Sequence, residues 1–172
     1  SWTTLGYLAA CTSRVRLGTL VSGITYRNVA HLGKIAATLD VLSGGRAVCG
    51  VGLAWFEQEH KAYGWPFPSV SERYALLSDA LQLLPVLWGP GNKPFHGTVL
   101  DVPDTTCYPR PLQERLPLLV GGSGRRTSRR ALPRSSPSSR GWAPGSGTAP
   151  SRGPRARSRR SGGRARRRRR PR

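Results

Sequence analysis

Three short apolar runs, each followed closely by glycine and separated by stretches with helical periodicity, limit what this chain can build. The runs are residues 14–22, 46–52 and 116–124. In the first, Val15, Leu17, Leu20 and Val21 become nearly continuous in apolarity toward the end, as strands buried in a parallel sheet do. Between the first two runs, Val29, Leu32, Ala36 and Leu39 fall on one helical stripe, with Ile35 and Leu42 beside it. Ser43, Gly44 and Gly45 stop that helix, because glycine tolerates the left-handed turn at a helix end. Strand, helix, strand with short connections is one right-handed βαβ unit.

An opening helix precedes this unit, with Trp2, Leu5, Leu8 and Ala9 recurring at three- and four-residue steps. It lacks a cap and anything before it, and the chain holds no methionine, so a truncated N-terminus is expected. After the second strand, residues 53–68 read as a loop rich in aromatics and proline. A helix follows from Ser69, where Ser69 and Glu72 have the S-x-x-E spacing of a capping box. Tyr74, Leu77, Leu81, Leu84 and Trp88 give its apolar stripe, and Pro85 is expected to kink or end it. Residues 90–116 read as a loop or small excursion, and residues 116–124 as a short buried strand running into a glycine turn.

Charge divides the chain in two. Of 28 basic residues, 18 lie in residues 125–172, which contain none of the eight acidic ones. The formal charge of +20 therefore belongs to a tail, and residues 1–124 are nearly neutral. This body has the length of an ordinary domain, about 100–150 residues. No apolar run approaches the roughly 20 residues of a membrane span, and no charged-then-apolar signal pattern is present. Cys11, Cys49 and Cys107 are far apart and lack CxxC spacing, so they read as reduced thiols of a cytoplasmic protein, with Cys49 on a strand. His31, His60 and His96 are isolated too, and no metal site is expected.

In α/β barrels ligands sit at the C-terminal ends of the strands, which draws attention to residues 20–23, 50–55 and 121–124. The glycine-rich turn at 121–124 exposes backbone N–H groups, and Ser123 adds a hydroxyl, the makings of a phosphate site. It matches neither a Walker P-loop nor the spaced G-x-G-x-x-G fingerprint, and the same glycines can equally serve only as turns. Glu57, Glu59 and His60 have acid–base chemistry, but a solvated loop is the expected setting. With no catalytic triad, carboxylate pair or metal cluster, the chemistry falls to a cofactor.

The segments WTTL at 2–5, TSRVRLGTLV at 12–21, AATLDVLSGGR at 36–46, GVGLAWFEQEHKAYG at 50–64, CYPRPL at 107–112 and LLVGGSG at 118–124 appear in this order. Together they resemble the luciferase-like monooxygenase superfamily, especially its branch that uses coenzyme F-420. The resemblance implies an α/β fold, part of a (β/α)8 TIM barrel with about three parallel strands and their helices, the barrel domain occupying residues 1–124. It implies a flavin or deazaflavin ring, from F-420 or FMN, lying over the strand ends. A non-prolyl cis peptide that supports the ring maps to Leu20 and Val21. The cofactor phosphate maps to Gly121, Gly122, Ser123 and Thr127, and the loop after the strand at 46–52 approaches at Gly52 and Leu53. Some relatives carry a polar or charged residue at the position of Leu53 or Trp55. Both are apolar here, which leaves backbone contact or packing. The reaction implied is hydride transfer to or from a small organic substrate, or oxygen activation, and the residues do not separate the two. Members of the family are often oligomeric, and some place a catalytic His or Trp on strands this chain does not contain.

Beyond Gly124 the likeness of these motifs ends. Residues 125–172 use only eight residue types, all with GC-rich codons, and their arginine, proline, serine and glycine content predicts disorder. A reading-frame shift in a GC-rich gene accounts for the simultaneous loss of family motifs, acidic residues and aliphatics. The alternative is an arginine-rich arm that binds nucleic-acid phosphates without sequence preference. A whole barrel takes about 250 residues, so the chain alone is expected neither to close a barrel nor to hold cofactor tightly.

Overall fold

The computed structural model describes residues 1–122. The apolar steps of the first residues produce α1 (Trp2–Cys11), whose inner residues Trp2, Leu5 and Ala9 close over Leu17, Leu39 and Ala47. The first strand is interrupted. Its two pieces, β1 (Leu17–Gly18) and β2 (Ser22–Gly23), both pair in parallel with β3 (Ala47–Gly52). Gly18 aligns with Val48 and Ser22 with Val51, so β1–β2 takes four steps where β3 takes three. One extra residue on one strand is a β-bulge. Within it the Thr19 hydroxyl donates to the Gly50 carbonyl at 3.0 Å, a side chain serving where the backbone ladder lapses.

Helix α2 (Val29–Leu42) starts at Asn28, whose side chain accepts from the His31 N–H, and ends in Gly44 and Gly45 with φ of 66° and 82°. Its buried face is Val29, Leu32, Ala36 and Leu39, as the periodicity predicts, while Leu42 is 61% exposed. Residues 53–68 are not all loop: α3 (Glu57–Ala62) forms within them. This helix has no apolar stripe, since of its six residues only His60 is buried, which is why periodicity misses it. Helix α4 (Val70–Trp88) has the full capping box, with Ser69 and Glu72 each satisfying the other's backbone N–H. Pro85 does not end it: the helix runs on to Trp88, with Pro85 on the exposed side. Its buried stripe is Leu77, Ala80, Leu83, Leu84 and Leu87, so Leu81 and Trp88 lie beside the core instead of in it.

Within residues 90–116 a two-stranded antiparallel hairpin forms from β4 (Phe95–His96) and β5 (Asp101–Val102). The last strand, β6 (Leu118–Val120), pairs in parallel with β3. It is not buried as expected: Leu119 is 47% exposed, because among the described residues β6 has a partner on one side only.

The result is an α/β layer, three parallel strand positions ordered β1/β2, β3, β6, with β3 central and α1, α2 and α4 packed on the face that carries Ala47, Cys49 and Val51. Cys49 and Val51 point from β3 into the packing of α2 and α4, whose leucines each contribute about 2 kcal/mol by burial. Asp40 ties this layer together. Buried at the end of α2, it accepts from the N–H groups of Ala47, Leu112 and Gln113 and from the Gln113 side chain. Arg46 does the same for α1, donating to the carbonyls of Ala9, Thr12, Val15 and Ser43. No helix among the described residues is long and apolar enough to cross a membrane. The basic segment 125–172 lies outside the described residues.

Candidate functional site

All strands of the sheet run the same way, so the C-terminal ends of β2, β3 and β6 share one rim. A cleft of about 590 Å³ opens there, within the roughly 300–1,000 Å³ of small-molecule sites. It is lined by Leu20, Val21, Gly23 and Tyr26 from the first strand and its loop, by residues 52–55 after β3, and by Gly121 and Gly122 after β6.

The peptide bond between Leu20 and Val21 is cis, where the resemblance puts it. The side chain of Val21 lies against two backbones that have no side chain of their own. A Cβ on Gly52 would stand 2.6 Å from the nearest Val21 methyl, and one on Gly121 would stand 2.8 and 2.9 Å from the two methyls. Glycine is required at both places by close approach. Leu20, 87% exposed, stands on the rim.

Of the residues expected to line a cofactor site, Leu20, Val21, Gly52, Leu53, Gly121 and Gly122 all border this cleft. Ser123 and Thr127 lie outside the described residues. The Val21 methyls fill the space that the glycines at 52 and 121 leave, so the inner end of the cleft is an apolar surface, and the polar side chains on its lining are Tyr26 and the indole of Trp55.

Tyr26 was not legible as a site residue. It stands three positions beyond the first strand, and nothing in the local pattern marks it. Its hydroxyl donates to Glu59 at 2.5 Å, and this bond, with burial and the Glu59 charge, pushes the phenol above its ordinary pKa. The ring packs against His60 and Trp65 with centroids 5.0 and 5.4 Å apart.

The solvated-loop reading of the three acid–base candidates is thereby corrected in part. Glu57 is a surface residue paired with Lys61 at 2.9 Å. Glu59 is half-buried against Tyr26, and His60 is fully buried. The Nδ1–H of His60 donates to the Phe56 carbonyl, which leaves Nε2 to accept from the Thr25 hydroxyl at 2.7 Å. Aromatic neighbours close around the ring, Phe67 at 4.7 Å among them. His60 is a core residue that fastens α3 to the loop after β2.

Cys49 and Cys107 are buried and free. Burial pushes the Cys49 thiol up to about 12, so it is a packing group and not a nucleophile. Among the described residues no three His, Cys, Asp or Glu side chains are placed to hold a metal ion.

Similarity to known proteins follows the same lines. The F420-dependent glucose-6-phosphate dehydrogenase of Kineococcus radiotolerans is 39% identical over 121 residues, 70% of this chain and 35% of that protein. The enzyme of the same name from Beutenbergia cavernae is 40% identical over 131 residues, 74% of this chain and 38% of that one. The chain thus spans little more than a third of the length of these relatives. Among solved structures, monooxygenase RslO1 from Streptomyces bottropensis superimposes with a TM-score of 0.62 at 30% identity, over 69% of this chain and 36% of the other. An F420-dependent secondary alcohol dehydrogenase holding an F420-acetone adduct gives 0.68 at 25% identity, over 76% and 40%. The model of the luciferase-like monooxygenase family matches residues 1–171, running past Gly124 into the basic segment. With its bulged first strand, its glycine-flanked cleft and this match, the chain belongs to the luciferase-like monooxygenase family.

Proposed function

We propose that this chain carries the cofactor slot of a flavin- or deazaflavin-dependent oxidoreductase that acts on a small organic substrate. The observation that carries the reading is the meeting of the Leu20–Val21 cis bulge with Gly52 and Gly121 in one apolar cleft at the strand ends. In this reading Leu20 and Val21 support the ring, and Gly52 and Leu53 approach it through backbone and packing. Gly121, Gly122 and Ser123, with Thr127, take the phosphate. F-420 is favoured by the names of the relatives, with FMN the other candidate. When bound, such a ring supplies hydride transfer or, in a monooxygenase, reaction with dioxygen. The protein's own part is to exclude water from one face of the ring and to hold it in register with the substrate. Tyr26, its proton committed to Glu59, offers a bound molecule an acceptor oxygen.

The test is a titration of the full chain with F-420 and with FMN, followed by cofactor fluorescence. Saturable binding at one site for which the two compete is expected. No saturation at millimolar cofactor would remove the assignment.

The 18 basic residues in 125–172 favour a second reading, a phosphate-binding arm. It requires nucleic-acid affinity that falls steeply and linearly with the logarithm of salt concentration. A frame shift instead requires that the DNA, translated in another frame after codon 124, continue the family's barrel sequence.

A further inference from the structure

We infer that Arg73, a residue outside the cleft, is the positioning residue that sets the shape of the cleft loop at 53–55. The inference rests on reading that cleft as the ring slot.

Arg73 is in an unfavourable place for a cation. It lies in the first turn of α4, next to the positive end of the helix dipole, and is only 8% exposed. No carboxylate among the described residues pairs with it. A buried guanidinium without a counter-ion is costly, so helix stability does not account for it.

Its contacts show what it holds. Nε donates to the Pro68 carbonyl at 3.0 Å, the guanidinium carbon lies 4.2 Å from the Phe67 ring centroid, and Nη1 donates to the carbonyl of Ala54. Ala54 has φ of 57°, the sole non-glycine residue with positive φ among those described. For a residue with a Cβ this conformation lowers the population by about tenfold. The charge-assisted bond from Arg73 offsets that bias.

The consequence reaches the cleft through one peptide plane. In a trans peptide the carbonyl and the following N–H point opposite ways. Drawing the Ala54 carbonyl onto Arg73 therefore turns the Trp55 N–H away from α4. No acceptor among the described residues takes that N–H. The Trp55 side chain is 84% exposed at the cleft rim. Arg73 thus presents a backbone donor and an indole face to a planar heteroaromatic ligand whose edge bears acceptor atoms.

The experiment compares the full chain with R73K, R73M and the double variant R73M/A54G by two measurements. The first is the backbone carbon shifts and the amide coupling of residue 54 by NMR, which report its φ without any ligand. In R73M the signature of positive φ should be lost while the shifts of β3 stay in place. If Ala54 keeps positive φ in a folded R73M chain, the inference is wrong. The second is riboflavin affinity, a probe of the slot without the phosphate. R73M should weaken it by about fivefold or more, and glycine at 54, which adopts positive φ freely, should recover part of the loss. A loss that glycine does not recover would make Arg73 a support of the fold only, and would overturn the inference. Should R73M fail to fold, R73K carries both measurements, since it keeps the charge and stem but not the planar fork. In R73K the same changes are expected at smaller size, and native φ and affinity there would also count against the inference. If the unmodified chain binds no riboflavin at all, the cofactor reading fails while the NMR result still decides the role of Arg73.

Discussion

Val21 shapes the cleft. Its two methyls occupy the space where side chains at 52 and 121 would otherwise be, and the β-bulge is what aims them there. Gly121→Ala would press a methyl to 2.8 Å from Val21, nearer than real contacts allow. Either β6 shifts outward or Val21 leaves its position, and overpacking of this kind costs about 1–3 kcal/mol. The expected outcome is a cofactor affinity at least about tenfold weaker. It can be read by the same fluorescence titration, and unchanged affinity would place the ring elsewhere. This part of the site was legible because glycine after a strand is a local signal, and because the bulge falls within a motif shared with a family. Tyr26 and Arg73 were not legible, for a physical reason: each acts through a contact distant in sequence. Tyr26 meets Glu59 across 33 positions and Arg73 meets Ala54 across 19. Sequence pattern marks Arg73 only as a polar residue in a first turn, where a solvated position is the ordinary outcome.

Elements with a repeating apolar face, α1, α2, α4 and β3, could be read from periodicity, since burial of that face is what makes them. Helix α3 and the β4–β5 hairpin have no such face. The hairpin has two residue pairs, and what holds it is Asp79 of α4, whose carboxylate accepts from the N–H groups of Val99 and Leu100 at 2.7 and 3.0 Å. Burial pushes the Asp79 carboxyl up, but the N–H groups of Val99, Leu100 and Thr98 outweigh it, and the group lies below its ordinary 3.8. A carboxyl lowered by folding stabilises the folded form above its unfolded pKa and ceases to do so as pH falls through the folded value. The hairpin should therefore loosen below pH 3.8, seen as faster exchange of the Val99 and Leu100 amides. In Asp79→Asn that acid dependence should vanish, and its persistence would assign it to another group. Pro85 is a second case at this scale. It breaks the α4 ladder at the Leu81 carbonyl, yet α4 continues because Leu83, Leu84 and Leu87 are fully packed on either side of it. A proline inside a helix costs about 3 kcal/mol, partly offset by the roughly 1 kcal/mol that it removes from unfolded-chain entropy. As Pro85 faces solvent, Pro85→Ala should stabilise the chain by about 1–2 kcal/mol in urea unfolding. A destabilised variant would mean that the proline ring is itself a packing contact.

The cleft is bounded by three strand positions. Its remaining side faces no element among the described residues, and the free edge of β6 carries Leu119, 47% exposed. A sheet edge of this kind is a template for further pairing. In a complete (β/α)8 barrel the edges pair with one another, and ligands meet loops from all eight strands. The described residues, which match a little more than a third of the length of these relatives, contribute the bulge, the glycine turn and the Arg73-braced loop, and with them part of the water exclusion that a reduced ring needs. Affinity should fall accordingly, because each missing wall removes buried area at about 25 cal/mol per Å². Losing about 100 Å² of apolar contact alone corresponds to about 2.5 kcal/mol, a factor of roughly seventy. We therefore expect the chain by itself to bind F-420 or FMN no tighter than about 10–100 μM, against the roughly micromolar or better affinity open to an enclosed drug-sized site. The decisive comparison joins residues 1–122 to the barrel halves of a relative on either side and repeats the titration. Affinity regained by about a hundredfold would show that this segment is a competent piece of a cofactor barrel. Equal affinity in the closed barrel and the chain alone would mean that these residues bind the ring without the enclosure the family fold provides.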